Sequence, residues 1–363
     1  MIRILHCVNI MNRAGLETML MNYYRHIDRT KIQFDFLAHR PERADYDDEI
    51  ESLGGKIYRA PRLYPQNYPA YFAFMKQFFR EHPEYKIIHS HIDAMSYLPL
   101  LAAKRAGVPV RIAHSHSTSI DRDYKFLLKQ YFRYQIPYVA NEFFACGEAA
   151  GEFLFRGREF TKIPNAIAMG KFAYSSQVRK QTREALGVSD NAFVIGHVGR
   201  FFYPKNHEFL ICIFCEVCKR KENAILLLIG MGEKETQIRE QVKRLGLEEK
   251  VLFLGNRSDV AELYQAMDVF VLPSLFEGVP LVGIEAQTAG LPCVFSDKVP
   301  KEVKIADNSV FLSLKSQPKI WANVIVEFPL MEREKQCEKI SDSQYNINHA
   351  VGILQEMYFK INI

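Results

Sequence analysis

The sequence predicts an α/β protein of two domains, each a parallel sheet covered by helices. Three observations predict it. The chain has 363 residues, enough for two sizeable cores. Short apolar runs alternate with amphipathic segments of helical period along nearly its whole length. The alternation pauses once near the middle and then restarts. Strands and helices alternating at this spacing give parallel strands joined by right-handed crossovers.

The first half opens with a strand over 2–10. Residues 12–18 form a turn into a helix over 17–26, with Met19, Leu20, Tyr23 and Tyr24 as its apolar stripe. Strands are expected at 31–38, 56–59, 87–91, 110–114 and 142–146. Between them lie helices over 45–53, 68–81, 95–106 and 126–134, a connection over 137–141, and a helix over 148–155. The pause falls at Lys162-Ile163-Pro164-Asn165, and a polar, basic connection is expected over 164–190. The second half gives strands at 194–198, 224–229, 251–254, 269–272, 291–295 and 310–312. Helices over 207–220, 233–245, 260–266 and 280–290 separate them, and helices over 318–327 and 349–360 close the chain. The expected domains are 1–165 and 166–345, with 346–363 as a terminal helix. Two such halves imply two Rossmann-like domains facing a central cleft.

Apolar content of 48% and charged content of 25% fit an ordinary soluble globular protein. The net charge of +5 lies entirely in residues 1–165. A basic first half points to an anionic partner such as a lipid surface, although scatter of a few charges gives the same figure. Seven cysteines without a secretory signal argue for free thiols in a reducing compartment. The first apolar run is broken by His6 and Asn9, and no run reaches the roughly 18–20 residues of a membrane span. A cytoplasmic protein is expected, free to rest on the inner face of the plasma membrane.

The stretch from Asp268 to Asp297 carries the most chemistry. It reads as strand, turn, helix and strand, and such a unit offers backbone N–H groups at its helix N-terminus to an anion. Pro280 suits the helix start and Gly290 its end. Glu277 lies in the turn. Glu285 follows Leu281 by one helical turn, on the side that packs on the sheet, and a carboxylate there needs partners. In the same half, Gly199-Arg200 and Lys205 follow the strand over 194–198, where open α/β sheets bind ligands. They read either as a phosphate grip or as a solvated loop.

Other clusters have two readings each. His89, His91 and His114, His116 form two H-S-H triplets at the ends of predicted strands. Alternate residues share a side, so each pair could seat a metal, but no third ligand is fixed beside either. Asp121-Arg122-Asp123 spells D-x-D, yet Ser115 to Ser119 separate it from the strand, and Asp123 reads better as a helix N-cap. Cys212, Cys215 and Cys218 are spaced like iron–sulfur ligands but fall inside a helical pattern. Tyr131, Phe132, Arg133 and Tyr134 suit either helix packing or contact with a lipid-linked molecule.

The run Glu277-Gly278-Val279-Pro280 through Glu285-Ala286, with Gly290-Leu291-Pro292 and Ser296-Asp297 behind it, resembles the E-x7-E region of the family 4 retaining glycosyltransferases. Gly199-Arg200…Lys205-Asn206, Gly230-Met231-Gly232, Gly255…Arg257…Asp259-Val260, Ile163-Pro164-Asn165, Gly15-Leu16-Glu17 and Phe34-Asp35-Phe36 follow the same pattern in order. The chain is most similar to the bacterial exopolysaccharide and capsule enzymes of that family. Ala14 replaces the first glycine of the usual pair, and Ala166-Ile167-Ala168 replaces the usual Gly-acidic hinge continuation.

The resemblance implies a GT-B fold. It places an acceptor in the N-terminal domain and a nucleoside diphosphate sugar, UDP-sugar foremost, in the C-terminal one, with the last helix returning to the first domain. Arg200 and Lys205 would grip the diphosphate, together with Gly199 and the backbone around Gly278, Val279, Leu281 and Val282. Glu285 would accept from the ribose, Glu277 would contact the sugar, and Arg257 would lie by the base. Gly15 would approach the phosphates. His116 would contact the transferred sugar, with His114 and Glu17 beside the sugar or acceptor. The implied reaction is retaining, metal-independent and cofactor-free, onto a saccharide hydroxyl that is lipid-linked, in cell-surface glycan synthesis. Two rivals stay open: a sugar-nucleotide epimerase on the same fold, and a silent nucleotide-sugar-binding partner subunit. Neither half carries G-x-G-x-x-G after its first strand, which argues against a dinucleotide oxidoreductase. No nucleic acid partner is expected.

Overall fold

The computed structural model describes residues 1–120, 123–329, 332–340 and 342–361. The chain divides into two compact units. One comprises Met1–Ala166 with Ile347–Ile363, the other Ile167–Asn346.

In the first unit the strands are β1 (Ile2–Val8), β2 (Ile32–Ala38), β3 (Ile57–Arg59), β4 (Ile87–Ser90), β5 (Val110–Ser115), β6 (Glu142–Ala145) and β7 (Thr161–Lys162). The described residues order them β3-β2-β1-β4-β5-β6-β7, every pair parallel. Helices cover both faces, so the strands read as apolar runs rather than as alternations. Asp35 departs from this pattern as a carboxylate in the middle of fully buried β2. It is fully partnered. Arg3 reaches both its oxygens at 2.6 Å, the Tyr85 hydroxyl donates at 2.8 Å and the Lys56 amide at 2.7 Å. The terminal helix Ile347–Ile361 belongs to this unit. Its Tyr358 hydroxyl meets His89 Nδ1 at 2.7 Å, and its Gln355 accepts from the Asp28 amide at 2.6 Å.

In the second unit the strands are β8 (Phe193–Val198), β9 (Ala224–Ile229), β10 (Val251–Gly255), β11 (Val269–Leu272), β12 (Cys293–Ser296) and β13 (Ser309–Leu312). Their order among the described residues is β10-β9-β8-β11-β12-β13, again all parallel. Trp321, Phe214 and Leu228 lie in its core. In each unit the chain reverses its direction of travel beside the first strand. The switch points lie between β1 and β4 and between β8 and β11, and open α/β sheets bind ligands at the carboxyl ends of such strands.

Several local expectations are corrected. The segment 164–190 is not an open connection. It holds helices Met169–Phe172 and Ser176–Ala185, and two of its basic residues, Arg179 and Arg183, are structural. Buried Arg183 donates to the carbonyls of Ala266, Ser189, Asp190 and Ala192 and to Asp268 Oδ2 at 2.8 Å. Arg179 reaches Asp268 Oδ1 at 2.6 Å. The expected connection over 137–141 is largely helical, because Phe126–Val139 continues through Pro137. Asp123 is not the helix N-cap. Lys125 occupies that place, and the Asp123 side chain accepts from the Lys125 amide in the preceding turn. Asp121 and Arg122 of the D-x-D lie outside the described residues. Strand β7 and the helix Arg333–Lys339 had no counterpart in the expected elements.

Asp268 Oδ2 also accepts from the Val194 amide at 2.7 Å, so one carboxylate joins a helix to the start of β8. Asp268→Ala leaves the Arg183 guanidinium buried beside an empty position. Chemical denaturation should show a loss of about 3 kcal/mol, the usual cost of removing one partner of a buried pair. A loss below about 1 kcal/mol would mean that the carbonyls alone satisfy Arg183.

Candidate functional site

The second unit's switch point is built from two loops. After β8 the chain runs through Gly199 and Arg200 into a short 3₁₀ turn, Tyr203–Lys205. Asn206 then adopts φ 56° and starts the helix His207–Cys218. The Asn206 amide side chain donates to the Pro273 carbonyl at 3.1 Å, and the Leu275 amide donates to the Pro204 carbonyl at 2.7 Å. These two bonds tie the β8 loop to the β11 loop. Gly230, after β9, has φ 134°, and a Cβ there would overlap the Gly199 carbonyl. The glycine lets the β9 loop run directly beneath the β8 loop, with Gly199 N–H donating to Ile229 at 2.9 Å.

The loops bring Lys205 and Glu277 together. Lys205 Nζ lies 2.6 Å from Glu277 Oε1, and the Ser274 hydroxyl donates to the same oxygen at 2.7 Å. The Ser296 hydroxyl, at the end of β12, holds the Ser274 carbonyl at 2.5 Å. Gly199 packs against the Lys205 stem and the His197 ring, both within 3.4 Å of where its Cβ would stand. Burial holds His197 neutral, pulling it down to about 4. Arg200 is exposed, lies over the Phe202 ring at 5.0 Å and forms no ion pair among the described residues.

The helix Leu281–Thr288 begins just after Glu277 and Gly278, with Pro280 at its N-cap rather than at its first turn. First-turn amides have no acceptor within their own helix. Here the Gly283 amide turns back to the Pro280 carbonyl at 3.0 Å. The helix ends in a Schellman motif, with Leu291 N–H to Ala286 and Gly290 N–H to Gln287, and Gly290 at φ 72°. Glu285 is 8% exposed, and its Oε2 accepts from the Tyr264 hydroxyl at 3.0 Å. Burial pushes its carboxyl up to about 7, against the opposing pull of the Tyr264 bond. Arg257 is engaged elsewhere, forked onto Asp259 at 2.7 and 2.5 Å.

The first unit's switch point is lined by histidines. His6 pairs with His89 across β1 and β4, and alternate positions add His91, His114 and His116. His6 Nδ1 meets His91 Nε2 at 2.9 Å, and His91 Nδ1 meets His116 Nε2 at 3.0 Å. His89 Nε2 meets His114 Nδ1 at 3.1 Å. Burial keeps all five neutral, with His6 and His116 down to about 3. The expectation of no third ligand is therefore corrected: His6, His89, His91 and His91, His114, His116 form triads with ligand atoms within 4.8 Å. Ligating histidines normally pass their second N–H to a carboxylate or carbonyl. The ring nitrogens here instead bond between rings and to Tyr358, a pattern of neutral tautomers exchanging bonds. His114 and His116 lie together, ring centroids 4.0 Å apart. Gly15 is exposed at the start of the helix Gly15–His26, and Glu17 is half-buried in its first turn.

Sequence reasoning missed Ser274, Tyr264 and Asp93, and quoted Ser296 without giving it a role. Asp93 has φ 44°, accepts from the His116 amide at 2.9 Å and from the Ser117 hydroxyl at 2.9 Å, and so fixes the chain after β5. An aspartate two residues beyond the first H-S-H was the available signal.

Each unit is a Rossmann-like sheet with its polar side chains gathered at the switch point, the plan of the GT-B glycosyltransferases. HepE of Anabaena, solved with UDP-glucose, superposes with a TM-score of 0.84 over 99% of this chain and 100% of its own, at 19% identity. Residues 178–346 match the family described as glycosyl transferases group 1, and residues 13–169 match glycosyltransferase family 4. A Bacillus subtilis (strain 168) protein named as the glycosyltransferase EpsF is 36% identical over 98% of this chain and 96% of its own. An Escherichia coli protein named UDP-Gal:α-D-GlcNAc-diphosphoundecaprenol α-1,3-galactosyltransferase is 29% identical over 59% of this chain and 58% of its own. The chain belongs to the family 4 glycosyltransferases.

The raised Glu285 carboxyl has a thermodynamic signature. Its folded value, about 7, lies above the ordinary 4.5, so the folded state keeps a proton that the unfolded chain releases. That stabilisation is complete below about pH 4.5 and is lost as the pH rises through about 7. Glu285→Gln removes the linkage. Between pH 5 and pH 8 the wild type should lose about 2 kcal/mol more stability than the variant in denaturant titrations. Parallel pH profiles would contradict the burial argument.

Proposed function

We propose that this protein transfers a sugar from a UDP-sugar to a hydroxyl of a lipid-linked saccharide, with retention at the anomeric carbon, in the assembly of a cell-surface polysaccharide. The observation that carries the reading is the Lys205–Glu277 pair at the β8/β11 switch point, with Arg200 unpaired by any described acid and a helix N-terminus immediately downstream. The UDP-sugar and the diphosphoundecaprenol-linked saccharide named for the Escherichia coli relative, and the UDP-glucose bound to HepE, support the choice of donor and acceptor.

In this reading the C-terminal unit takes the donor. Arg200 and Lys205 stabilise the negative charge that develops on the leaving diphosphate, with Gly199 and the backbone of Gly278, Val279, Leu281 and Val282 beside it. Glu277 accepts from sugar hydroxyls and Glu285 from ribose hydroxyls. Arg257 is assigned to the base, where it would have to leave Asp259. The N-terminal unit takes the acceptor, with Gly15 assigned to the phosphates and His116, His114 and Glu17 to the sugar or acceptor. The bond from the anomeric carbon to the phosphate oxygen breaks, and the bond to the acceptor oxygen forms on the same face. The acceptor proton passes to the departing phosphate. Cationic side chains replace a metal in this scheme, and no cofactor takes part.

A purified sample should be warmed with UDP, GDP and ADP in turn. UDP alone is expected to raise the melting temperature, because a ligand of the native state stabilises it. Lys205→Ala should lower kcat by roughly 10²–10³, as losing one group that stabilises developing charge does. Glu285→Ala should act mainly on the donor KM. Transfer should survive EDTA, and the anomeric configuration of the product, read by NMR, should match that of the donor. Donor turnover without any acceptor product would replace transfer with epimerisation or hydrolysis.

A further inference from the structure

The hydrogen bonds among the five histidines of the first unit do not use every ring nitrogen. Among the described residues, His6 Nε2, His114 Nε2 and His116 Nδ1 are buried atoms without a partner. Leaving a buried polar atom unpaired is costly, and native proteins keep such groups where an ion, a water or a reaction makes use of them. Two of these atoms belong to one triad, His91, His114 and His116, whose ligand atoms lie within 4.8 Å of one another.

Three imidazoles, with neither thiol nor carboxylate in the triad, suit zinc, copper, nickel or iron and not magnesium or calcium. Burial keeps the three rings neutral, which is the form that ligates. His114 has outer support. Its Nδ1 meets His89 Nε2 at 3.1 Å, and His89 Nδ1 meets the Tyr358 hydroxyl at 2.7 Å. In the tautomer that donates from Nδ1, the unpartnered Nε2 carries the lone pair. A neutral ring stands where a carboxylate or carbonyl is usual, which weakens the ligand and makes the site reversible. His91 Nδ1 and His116 Nε2 are 3.0 Å apart, and a tetrahedral ion with bonds of about 2.0–2.1 Å holds its nitrogens roughly 3.3–3.4 Å apart. An ion on that edge shifts the rings slightly and replaces one ring-to-ring bond. The His91 amide donates to the Cys7 carbonyl at 2.9 Å and the His116 amide to Asp93 at 2.9 Å, so both rings start from fixed backbone. His91 and His114 are buried and His116 is half-buried, so an ion enters on the His116 side.

We propose that His91, His114 and His116 bind a first-row transition-metal ion, with Zn²⁺ as the type. Three protein ligands leave a fourth position on the ion to water. Binding of the ion needs neither donor nor acceptor. One consequence rests on the preceding reading, which gives His116 and His114 to the sugar or acceptor: the ion occupies those rings, so bound zinc inhibits transfer.

The full chain, stripped with EDTA and desalted, is titrated with ZnCl₂ by equilibrium dialysis, with MgCl₂ in parallel. Saturable uptake of about one zinc ion per chain, and no uptake of magnesium, is expected. X-ray absorption of the zinc-loaded wild type should show imidazole nitrogens at about 2.0–2.1 Å and no sulfur at about 2.3 Å, which separates the triad from the free cysteines. His114→Gln and His116→Gln should each weaken uptake by at least the roughly 10–100-fold that loss of a supporting partner costs. His349→Gln, at an exposed histidine of the terminal helix, should leave it unchanged. Circular dichroism shows whether each variant is folded, and one that is not gives way to the asparagine variant at the same position. The spectrum of the wild type decides in either case. No saturable uptake by the wild type, sulfur in its spectrum, or equal uptake by wild type and folded His114→Gln overturns the proposal. Saturating zinc should stop transfer, and EDTA should restore it. Uptake that leaves transfer unimpaired sinks the assignment of His116 and His114 to the sugar and leaves the ion site standing. Uptake with no transfer from any UDP-sugar sinks the proposed function and likewise leaves the ion site standing.

Discussion

The second unit depends on one carboxylate, Asp268. It stands at the entrance to β11, receives Arg179 and Arg183 from the helix Ser176–Ala185, and holds the Val194 amide at the entrance to β8. Strands β8 and β11 flank the switch point, and the loops that leave their far ends carry Lys205 and Glu277. A side chain at one edge of the sheet thus sets the relative height of the two strands that position charged groups at the other edge. Arg333, with donors spread over the carbonyls of Ala289, Gln265, Met267 and Tyr264, ties the following helix to the same corner. Burial pulls its guanidinium down to about 10. The arginines at this corner are structural, whereas Arg200, after β8, is exposed.

The two switch points solve the same geometric problem with different chemistry. In the second unit the polar groups are charged and opposed, cation against carboxylate. In the first they are neutral imidazoles handing hydrogen bonds to one another, backed by Phe34, Phe36 and Tyr358. Neutrality follows from burial, because charging a ring there would cost its solvation. The outcome is a rigid polar floor that carries little net charge. Asp93 meets the chain at the rim of that floor and pins it through the His116 amide, at the expense of a left-handed backbone that aspartate rarely adopts.

Most of the fold was legible because its signals are local. Apolar runs of strand length, helical stripes and the glycine after the 280–290 segment each report on their own neighbourhood. What escaped reading was whatever depends on distant partners. Arg179 and Arg183 looked like a solvated linker, since nothing in their own segment reveals Asp268 more than eighty positions away. Pro137 looked like a break, yet the helix runs through it. The site divides in the same way. The sequence singled out Glu277, Glu285, Arg200 and Lys205 from loop positions and a familiar spacing. That Lys205 and Glu277 touch, that Ser274 steadies the pair, and that five histidines converge rather than two pairs, are facts of strand order and register.

In the proposed reading, the contact between Lys205 and Glu277 would set a condition on entry. An anion that draws the ammonium toward itself dilutes the counter-charge on the neighbouring carboxylate. A bare phosphate offers that carboxylate nothing in return, and adds repulsion. A molecule bearing hydroxyl donors a few ångströms from its phosphates offers replacement hydrogen bonds as it takes the lysine. If the proposed donor binds here, the pair would act as an exchange gate, admitting ligands by what they give back rather than by how negative they are.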